Sequence, residues 1–328
     1  MKARVLITGA SGFIGHHLIE EALKNDLDVF AAVRKTSDLS HLEDFKIQYT
    51  YPNFNDVPAL KKEIAENNYS YIIHAAGLTK ARSENEYNRI NAQYTQNLAL
   101  AAAESGGNLK KFVLISSLAA QGPLNHLAGS LNEVVAPKPV TSYGKSKLLG
   151  EESLKAFSAL NYAILRPTAV YGPRDKDILI FFKQIVKGFE PFIGNTDQKL
   201  SFLYVTDLAK AAVKALYAGN RETLNLSDGS FYDRYELGRL AKEILGLKTV
   251  KINLPVNIVK LIAIFSEAYG FLTNKAVALN VEKVNELVAV NWHCDIEKAR
   301  AVLGFCPEHD LKSGLNETLK WYKLNKWL

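Results

Sequence analysis

Tyr143 and Lys147 stand four residues apart in the run Thr141-Ser142-Tyr143-Gly144-Lys145-Ser146-Lys147. Residues at i and i+4 share a helix face, so a helix here sets the ammonium one turn beyond the phenol. A free tyrosine hydroxyl titrates near ~10, too high for easy proton exchange at neutrality. A neighbouring ammonium favours the phenolate and should lower that value. Tyr143 is then suited to general acid or base work on a hydroxyl or carbonyl. Ser116 and Ser117 close the apolar run Phe112–Ile115. Strand ends at the carboxyl edge of a parallel sheet face the ligand crevice, so Ser117 can hold a substrate oxygen near Tyr143. The alternative for the serines is a simple turn cap. Ser117, Tyr143 and Lys147 are the expected catalytic set.

A second constellation opens the chain. Val5–Thr8 reads as a strand, and Gly9-Ala10-Ser11-Gly12-Phe13-Ile14-Gly15 follows it at once. Glycine permits a tight turn and a close backbone approach to a pyrophosphate, and the helix N-terminus beyond it offers N–H groups and a positive dipole end. Gly9, Ser11, Gly12, Phe13, Ile14 and Gly15 are therefore expected to line a dinucleotide. At the end of the second strand an acid would bond a ribose 2′-hydroxyl, whereas an arginine accommodates a 2′-phosphate. The chain has Val33-Arg34-Lys35 there. Arg34 thus favours NADP over NAD, with NAD still open.

The elements that must position these residues alternate. Asp28–Val33, Tyr71–His74, Lys111–Ser116 and Tyr162–Leu165 are short apolar runs, with helical stretches such as Asn91–Glu104 and Tyr143–Leu154 between them. Such alternation means βαβ units and a parallel sheet. The expected fold is α/β, a Rossmann doubly wound parallel sheet with a smaller, mainly helical C-terminal substrate domain. Residues 1–165 plus 201–228 are assigned to the dinucleotide-binding domain, and 166–200 plus 229–328 to the substrate domain.

Together these motifs resemble the extended short-chain dehydrogenase/reductase family, the NAD-dependent epimerase/dehydratase superfamily, over nearly the whole chain. Thr8–Gly15 is similar to its glycine turn. Ser116-Ser117 followed by Gly122 is similar to its serine segment, and Tyr143–Lys147 to its catalytic helix. The resemblance implies further cofactor contacts at Ala75 and Ala76, at Asn91, at Pro167, and at Asn53, where an aspartate often meets the adenine. It also implies that Lys147 bonds the nicotinamide ribose. Leu200 stands where the family's nucleotide-sugar epimerases carry an arginine that grips the sugar nucleotide's phosphates. With Val33-Arg34 and the C-terminal pattern, this looks closer to the dihydroflavonol-reductase and 3-beta-hydroxysteroid-dehydrogenase branch. Lys199 or Arg174 would be the substitute cation, with Arg174 otherwise a loop charge paired to Asp175 or Asp177.

The function these features imply is hydride transfer between NADP(H) and a secondary alcohol or ketone of a small molecule. The alternative is a nucleotide-sugar epimerase or dehydratase with tightly held NAD. The substrate pocket is expected among Thr79, Ser117, Tyr143, the loop after Pro173 and residues 191–204. Net charge is +6 with no basic block, so no nucleic-acid partner is expected. Cys294 and Cys306 form no metal-ligand spacing, adjacent His16 and His17 do not share a helix face, and no metal is expected. Asp207 reads as the cap of the Ala-rich helix. A cytoplasmic, reduced protein is expected, with a homodimer left open. Ile258–Phe265 is the most lipid-like stretch, but Lys260 interrupts it, and a span needs ~20 apolar residues. It reads as an amphipathic helix, with a partner or membrane face as the alternative.

Overall fold

Successive residues of a β-strand point to opposite faces, and here both faces are buried. In the computed structural model, which describes residues 2–106, 108–277 and 279–328, the strands are β1 (Arg4–Thr8), β2 (Asp28–Ala32), β3 (Gln48–Thr50), β4 (Tyr71–His74), β5 (Lys111–Ile115), β6 (Tyr162–Pro167), β7 (Ala169–Tyr171), β8 (Phe189–Ile193), β9 (Phe202–Tyr204), β10 (Glu222–Leu226) and β11 (Val250–Leu254). Seven of them form one parallel sheet in the order β10-β6-β5-β4-β1-β2-β3. Val5, Ile7, Ile73, Val113 and Leu165 pack on one side against Leu18 and Ala22 of α1 (Phe13–Lys24). Leu6, Ile72, Phe112, Leu114 and Ile164 pack on the other side against the next layer of helices. These include α2 (Val57–Asn67), α4 (Tyr94–Glu104) and α5 (Ser142–Lys155). The short α3 (Glu84–Tyr87) runs into a π-helical turn, Asn88–Gln93, before α4. The fold is the expected doubly wound sheet.

The topology reverses between β1 and β4, because β1 pairs with β2 on one side and β4 on the other. Ligands of such sheets bind beyond the carboxyl strand ends at that reversal. The segment after β6 returns only in part. The helix α7 (Val205–Lys214) packs on α1, and β10 pairs with β6, but β9 pairs with β7 in a separate ribbon. A third core gathers Tyr171, Phe182, Tyr204, Leu240, Leu315 and Tyr322. It joins α6 (Lys176–Val186), α8 (Glu236–Leu245) and α12 (Leu311–Leu324). The rest are α9 (Val256–Thr273), α10 (Val281–Leu287) and α11 (Glu297–Leu303). The helical expectation for the C-terminal part had no place for β11, which lies beside β8.

Asp207 does not cap its own helix. It sits in the first turn of α7 and accepts from the backbone N–H of Glu308 and His309, at 3.2 and 3.0 Å. Pattern reading could not see a loop a hundred residues away in sequence.

At the opposite sheet edge Lys111 is 1% exposed, and its ammonium donates to Gly219 O at 2.8 Å and Asn220 Oδ1 at 2.9 Å. Burial pulls its pKa down to about 8. A lysine whose folded value is depressed disfavours the fold while charged, so its penalty is relieved as pH rises from about 8 toward the ordinary 10.5. Stability of the wild type relative to Lys111→Met should therefore grow with pH through that window, by up to ~1.4 kcal/mol per unit. Urea denaturation of both proteins at pH 7.5 and 9.5 checks this, and parallel profiles would refute it.

Candidate active site

The β1–α1 turn shows how tightly the backbone is folded for a ligand. Gly9 has φ +70°, and a Cβ there would stand 2.6 Å from Ala75 O. A Cβ on Gly15 would meet Gly9 O at 2.2 Å. No larger residue fits either position. Gly12 caps α1 without any side-chain acceptor, so the first N–H groups, from Phe13 and Ile14, are left to an outside acceptor. Ser11 Oγ reaches Ser37 Oγ at 3.3 Å, which brings the turn after β2 beside the glycine turn. Arg34 lies exposed in that same turn. This donor set fits a dinucleotide pyrophosphate with a ribose at the β2 edge.

Ala75 and Ala76 are held by a buried relay. Thr8 Oγ1 accepts from Ala76 N at 3.1 Å and meets His74 Nδ1 at 2.7 Å. His74 Nε2 meets Thr95 Oγ1 at 3.2 Å, and that hydroxyl donates to Asn91 O at 2.8 Å. The chain of donors closes only if the imidazole is neutral with its proton on Nε2. Burial agrees, pushing the His74 pKa down to about 3. Asn91 is 2% exposed and both ends of its amide are taken. Oδ1 accepts from Leu78 N at 2.8 Å, and Nδ2 donates to Leu78 O and to Ser146 Oγ at 3.0 and 2.9 Å. It clamps the Gly77–Leu78 turn to α5 rather than offering a free group. Asn53 likewise uses its side chain locally, accepting from Asn55 N at 3.1 Å. Pro167 is buried at the end of β6, in register with Leu226.

Thr141 starts α5 by accepting from Gly144 N at 3.0 Å, and Tyr143 and Lys147 occupy its next two turns. Ser117 follows the end of β5, beside Tyr143, and its hydroxyl accepts from Ala119 N at 3.2 Å. The three expected residues are thus brought together at the carboxyl edge. Their electrostatics differ from the expectation. Burial pushes the Tyr143 hydroxyl up to about 12, with Ser117 opposing and the Glu286 carboxylate and Tyr87 adding to the rise. The Lys147 ammonium is directed instead to Ile115 O, to which it donates at 2.7 Å. Burial also draws Lys147 down to about 8, against the pull of Glu151. A shared helix face brought the two residues near each other but could not fix where the lysine's long stem leads.

Three ties of this helix do not follow from the spacing of the motifs. Glu151 is fully buried and takes a bidentate contact from Arg166, with Nε–Oε1 2.9 Å and Nη2–Oε2 2.6 Å. Ser116 Oγ donates to the same carboxylate at 2.5 Å. Glu282 on α10 accepts from Ser142 N and Oγ at 2.7 and 2.9 Å. A signal existed for Glu151, since it lies four residues past Lys147 on the sheet-facing side of α5, where a carboxylate needs a partner.

The outer wall is joined piece by piece. Tyr87 donates to Thr79 O at 3.1 Å, and its ring lies 6.1 Å from that of Tyr143. Gln198, within 191–204, donates to Leu287 O and Ala289 O at 2.8 Å each, just after α10. Leu200 exchanges backbone hydrogen bonds with Tyr232, and Lys199 Nζ lies 4.5 Å from the Phe231 ring centroid. Arg174 pairs with neither Asp175 nor Asp177. It stacks 5.4 Å over Trp321 with φ +76°, while Asp175 caps α6 and Asp177 pairs with Lys80 at 2.5 Å. The Pro173 carbonyl, held by His17 Nε2 at 3.1 Å, ties this loop to α1.

Residues 5–227 match the model of the NAD dependent epimerase/dehydratase family. The chain belongs to that family. It is an NAD(P)-dependent enzyme of the extended short-chain dehydrogenase type. A ceramide reductase of Caulobacter vibrioides is 28% identical over 99% of this chain and 96% of its own length. A putative UDP-glucose 4-epimerase of Methanocaldococcus jannaschii is 29% identical over 98% and 99%. The solved UDP-glucose 4-epimerase of Thermotoga maritima superposes with a TM-score of 0.79 at 21% identity, covering 98% of this chain and 99% of that one, and shows the shared fold.

Breaking a buried ion pair by removing one partner strands the other charge, at a cost of ~3–5 kcal/mol, whereas an apolar pair of similar volume is often neutral. Glu151→Leu should therefore destabilise by about that much, and Glu151→Leu with Arg166→Met should recover most of it. Urea midpoints of the two variants test this. A single variant as stable as the wild type would show that the pair does not hold α5.

Proposed function

We propose that this enzyme interconverts a secondary alcohol and a ketone with net turnover of NADP(H). The observation that carries the reading is the placement of Tyr143 and Ser117 together at the strand ends, with an apolar Leu200 set into a backbone bridge where phosphate-gripping epimerases place an arginine. A dinucleotide held in the glycine cradle would supply or take the hydride. Tyr143 Oη gives or accepts the proton at the substrate oxygen, and Ser117 Oγ orients that oxygen. Lys147 holds Ile115 O and keeps two protons for a ribose hydroxyl. Burial keeps the Tyr143 hydroxyl protonated at neutrality, so its proton exchange in turnover calls for a nearby positive charge that favours the phenolate. Gly9, Gly12, Phe13 and Ile14 cradle the pyrophosphate, Ala75, Ala76 and Pro167 line the cofactor's path, and Asn53 flanks the adenine. Arg34 meets the 2′-phosphate. The chain works in the cytoplasm, on its own or as a homodimer.

A second reading is epimerisation at a sugar carbon, supported by the similar identity of the epimerase relative. The two separate in one experiment. An epimerase oxidises and re-reduces one substrate on a held cofactor, so no net absorbance change accompanies turnover. An oxidoreductase consumes NADPH with the ketone, or forms it with the alcohol, one for each substrate turned over.

Tyr143→Phe should lower turnover by ~10²–10⁴-fold, the usual worth of general acid–base catalysis, with dinucleotide affinity nearly unchanged. Initial rates and fluorescence titration read the two quantities, and an active Tyr143→Phe enzyme rejects the assignment. Arg34→Ala should cut NADP(H) affinity by roughly 10-fold or more and leave NAD(H) affinity alone, since a bidentate guanidinium–phosphate pair is lost. Calorimetry with both dinucleotides checks this, and an unaltered preference makes Arg34 a surface charge only.

A further inference from the structure

The helix α9 runs longer than the sequence suggested, from Val256 to Thr273, and only 17% of it is buried. Val259, Ala263 and Gly270 form the narrow stripe that meets the protein, the first two packing with Val284 of α10 and Gly270 lying against Val277. Ile258, Leu261, Ile262, Ile264, Phe265 and Tyr269 cover the rest of the helix, each half exposed or more. Phe271 and Leu272 close it at 88% and 82% exposure. Scattered surface hydrophobes need no explanation, but a contiguous set of this size marks an interaction face.

The charges that flank this helix are mostly basic. Glu267, the carboxylate on α9, is exposed but engaged, accepting from Val281 N at 3.1 Å. Glu282 is partly buried and turned toward Ser142. Lys248 is exposed just before the strand that leads into α9, Lys251 is exposed within it with its ammonium 4.4 Å from the Tyr235 ring centroid, and Lys275 is exposed beyond the end of the helix. The same strand adds Val250 and Ile252 to the apolar surface, beside Phe189, and Lys187 stands exposed next to Phe189.

We infer that α9 lies in the surface of an anionic bilayer, its apolar sides sunk among acyl chains and its flanking lysines on headgroups. Three observations select this occupant. Apolar side chains cover most of the circumference, which a bilayer can wrap and a flat protein face cannot. An antiparallel second copy would set Lys251 of one copy against Lys275 of the other, whereas anionic headgroups complement both. Spanning is excluded by the attachments of the helix. Before it, Leu254 pairs with Ile193; after it, Asn274 accepts from Arg82 Nη1 at 3.2 Å, so both ends stay on one side. Its length, ~27 Å at the standard rise, also falls short of the ~30 Å hydrocarbon core. Arg82 at one end of the helix, and Glu282 of α10 through its bond to Ser142, tie α9 to the elements around Tyr143.

Co-sedimentation of the full chain with vesicles reads this directly and needs no turnover. Binding to phosphatidylglycerol-containing vesicles should exceed binding to pure phosphatidylcholine by about tenfold at low salt, given the worth of a few lysines near an anionic surface. The triple variant Leu261→Ser, Phe265→Ser, Phe271→Ser should lose sedimentation with both, while its thermal melt and dinucleotide titration stay as in the wild type, because all three side chains are exposed. Lys251→Glu with Lys275→Glu should erase the preference for anionic lipid. A wild-type chain that stays in the supernatant with both vesicle types overturns the proposal. So does a concentration-dependent dimer that the serine variant abolishes, which would make a second copy the occupant.

Discussion

Everything at the candidate site depends on how α5 is held against the sheet. A helix carrying two functional side chains on one face is useful only if its rotation and height are fixed. Here it is fastened at four levels: Glu282 at its first residue, Asn91 at Ser146, Ile115 O at Lys147, and the Arg166–Ser116 pair at Glu151. The last is the deepest and the most demanding, because an ionised carboxylate in the interior persists only with its charge and lone pairs answered. The two strands that answer it, β5 and β6, are the ones whose ends bring Ser117 and Pro167 to the crevice. One electrostatic tie therefore sets the helix relative to both.

The close contact between α5 and the π-turn follows the same logic. A Cβ on Gly150 would stand 2.6 Å from Asn91 O. The wider turn at Asn88–Gln93 lets Asn91 reach across to Leu78 and Ser146 at once. π-turns are uncommon and cluster at functional sites, where they re-aim a side chain. Here the re-aimed side chain serves as a strut, and its neighbour Thr95 completes the relay that fixes His74 beside Ala75.

Much of this was legible in the sequence, and for a physical reason. Both-face burial forces near-continuous apolar runs, so Tyr71–His74 and Lys111–Ile115 announced themselves as central strands. A glycine turn with no room for a Cβ announces itself too. What was not legible depended on side chains reaching distant elements. The path of the Lys147 stem, the stacking of Arg174 on Trp321 and the inward Glu282 are set by tertiary packing that no local spacing encodes. The edge strands β3 and β11 were missed because Gln48-Tyr49-Thr50 and Val250–Leu254 are too short, or too exposed, to carry a periodic signal. The length of α9 was not legible because Lys260 reads as an interruption of the apolar stretch Ile258–Phe265, although it lies within a longer helix.

The place of β10 in the sheet bears on how the chain is made. Its partner β6 ends at Pro167, and the residues between them build α6, the β7–β9 ribbon and α7 before β10 arrives. Until that strand emerges, β6 presents an unpaired edge, the feature that templates aggregation. The sheet is thus completed late and from a distance, a non-local closure that slows folding. A ribosome-bound chain stopped short of Leu226 would carry the glycine turn and Tyr143 in place yet remain open along one side. The chain's C-terminal half therefore acts as the closing element of its N-terminal half, and neither can be separated from the other by a single cut.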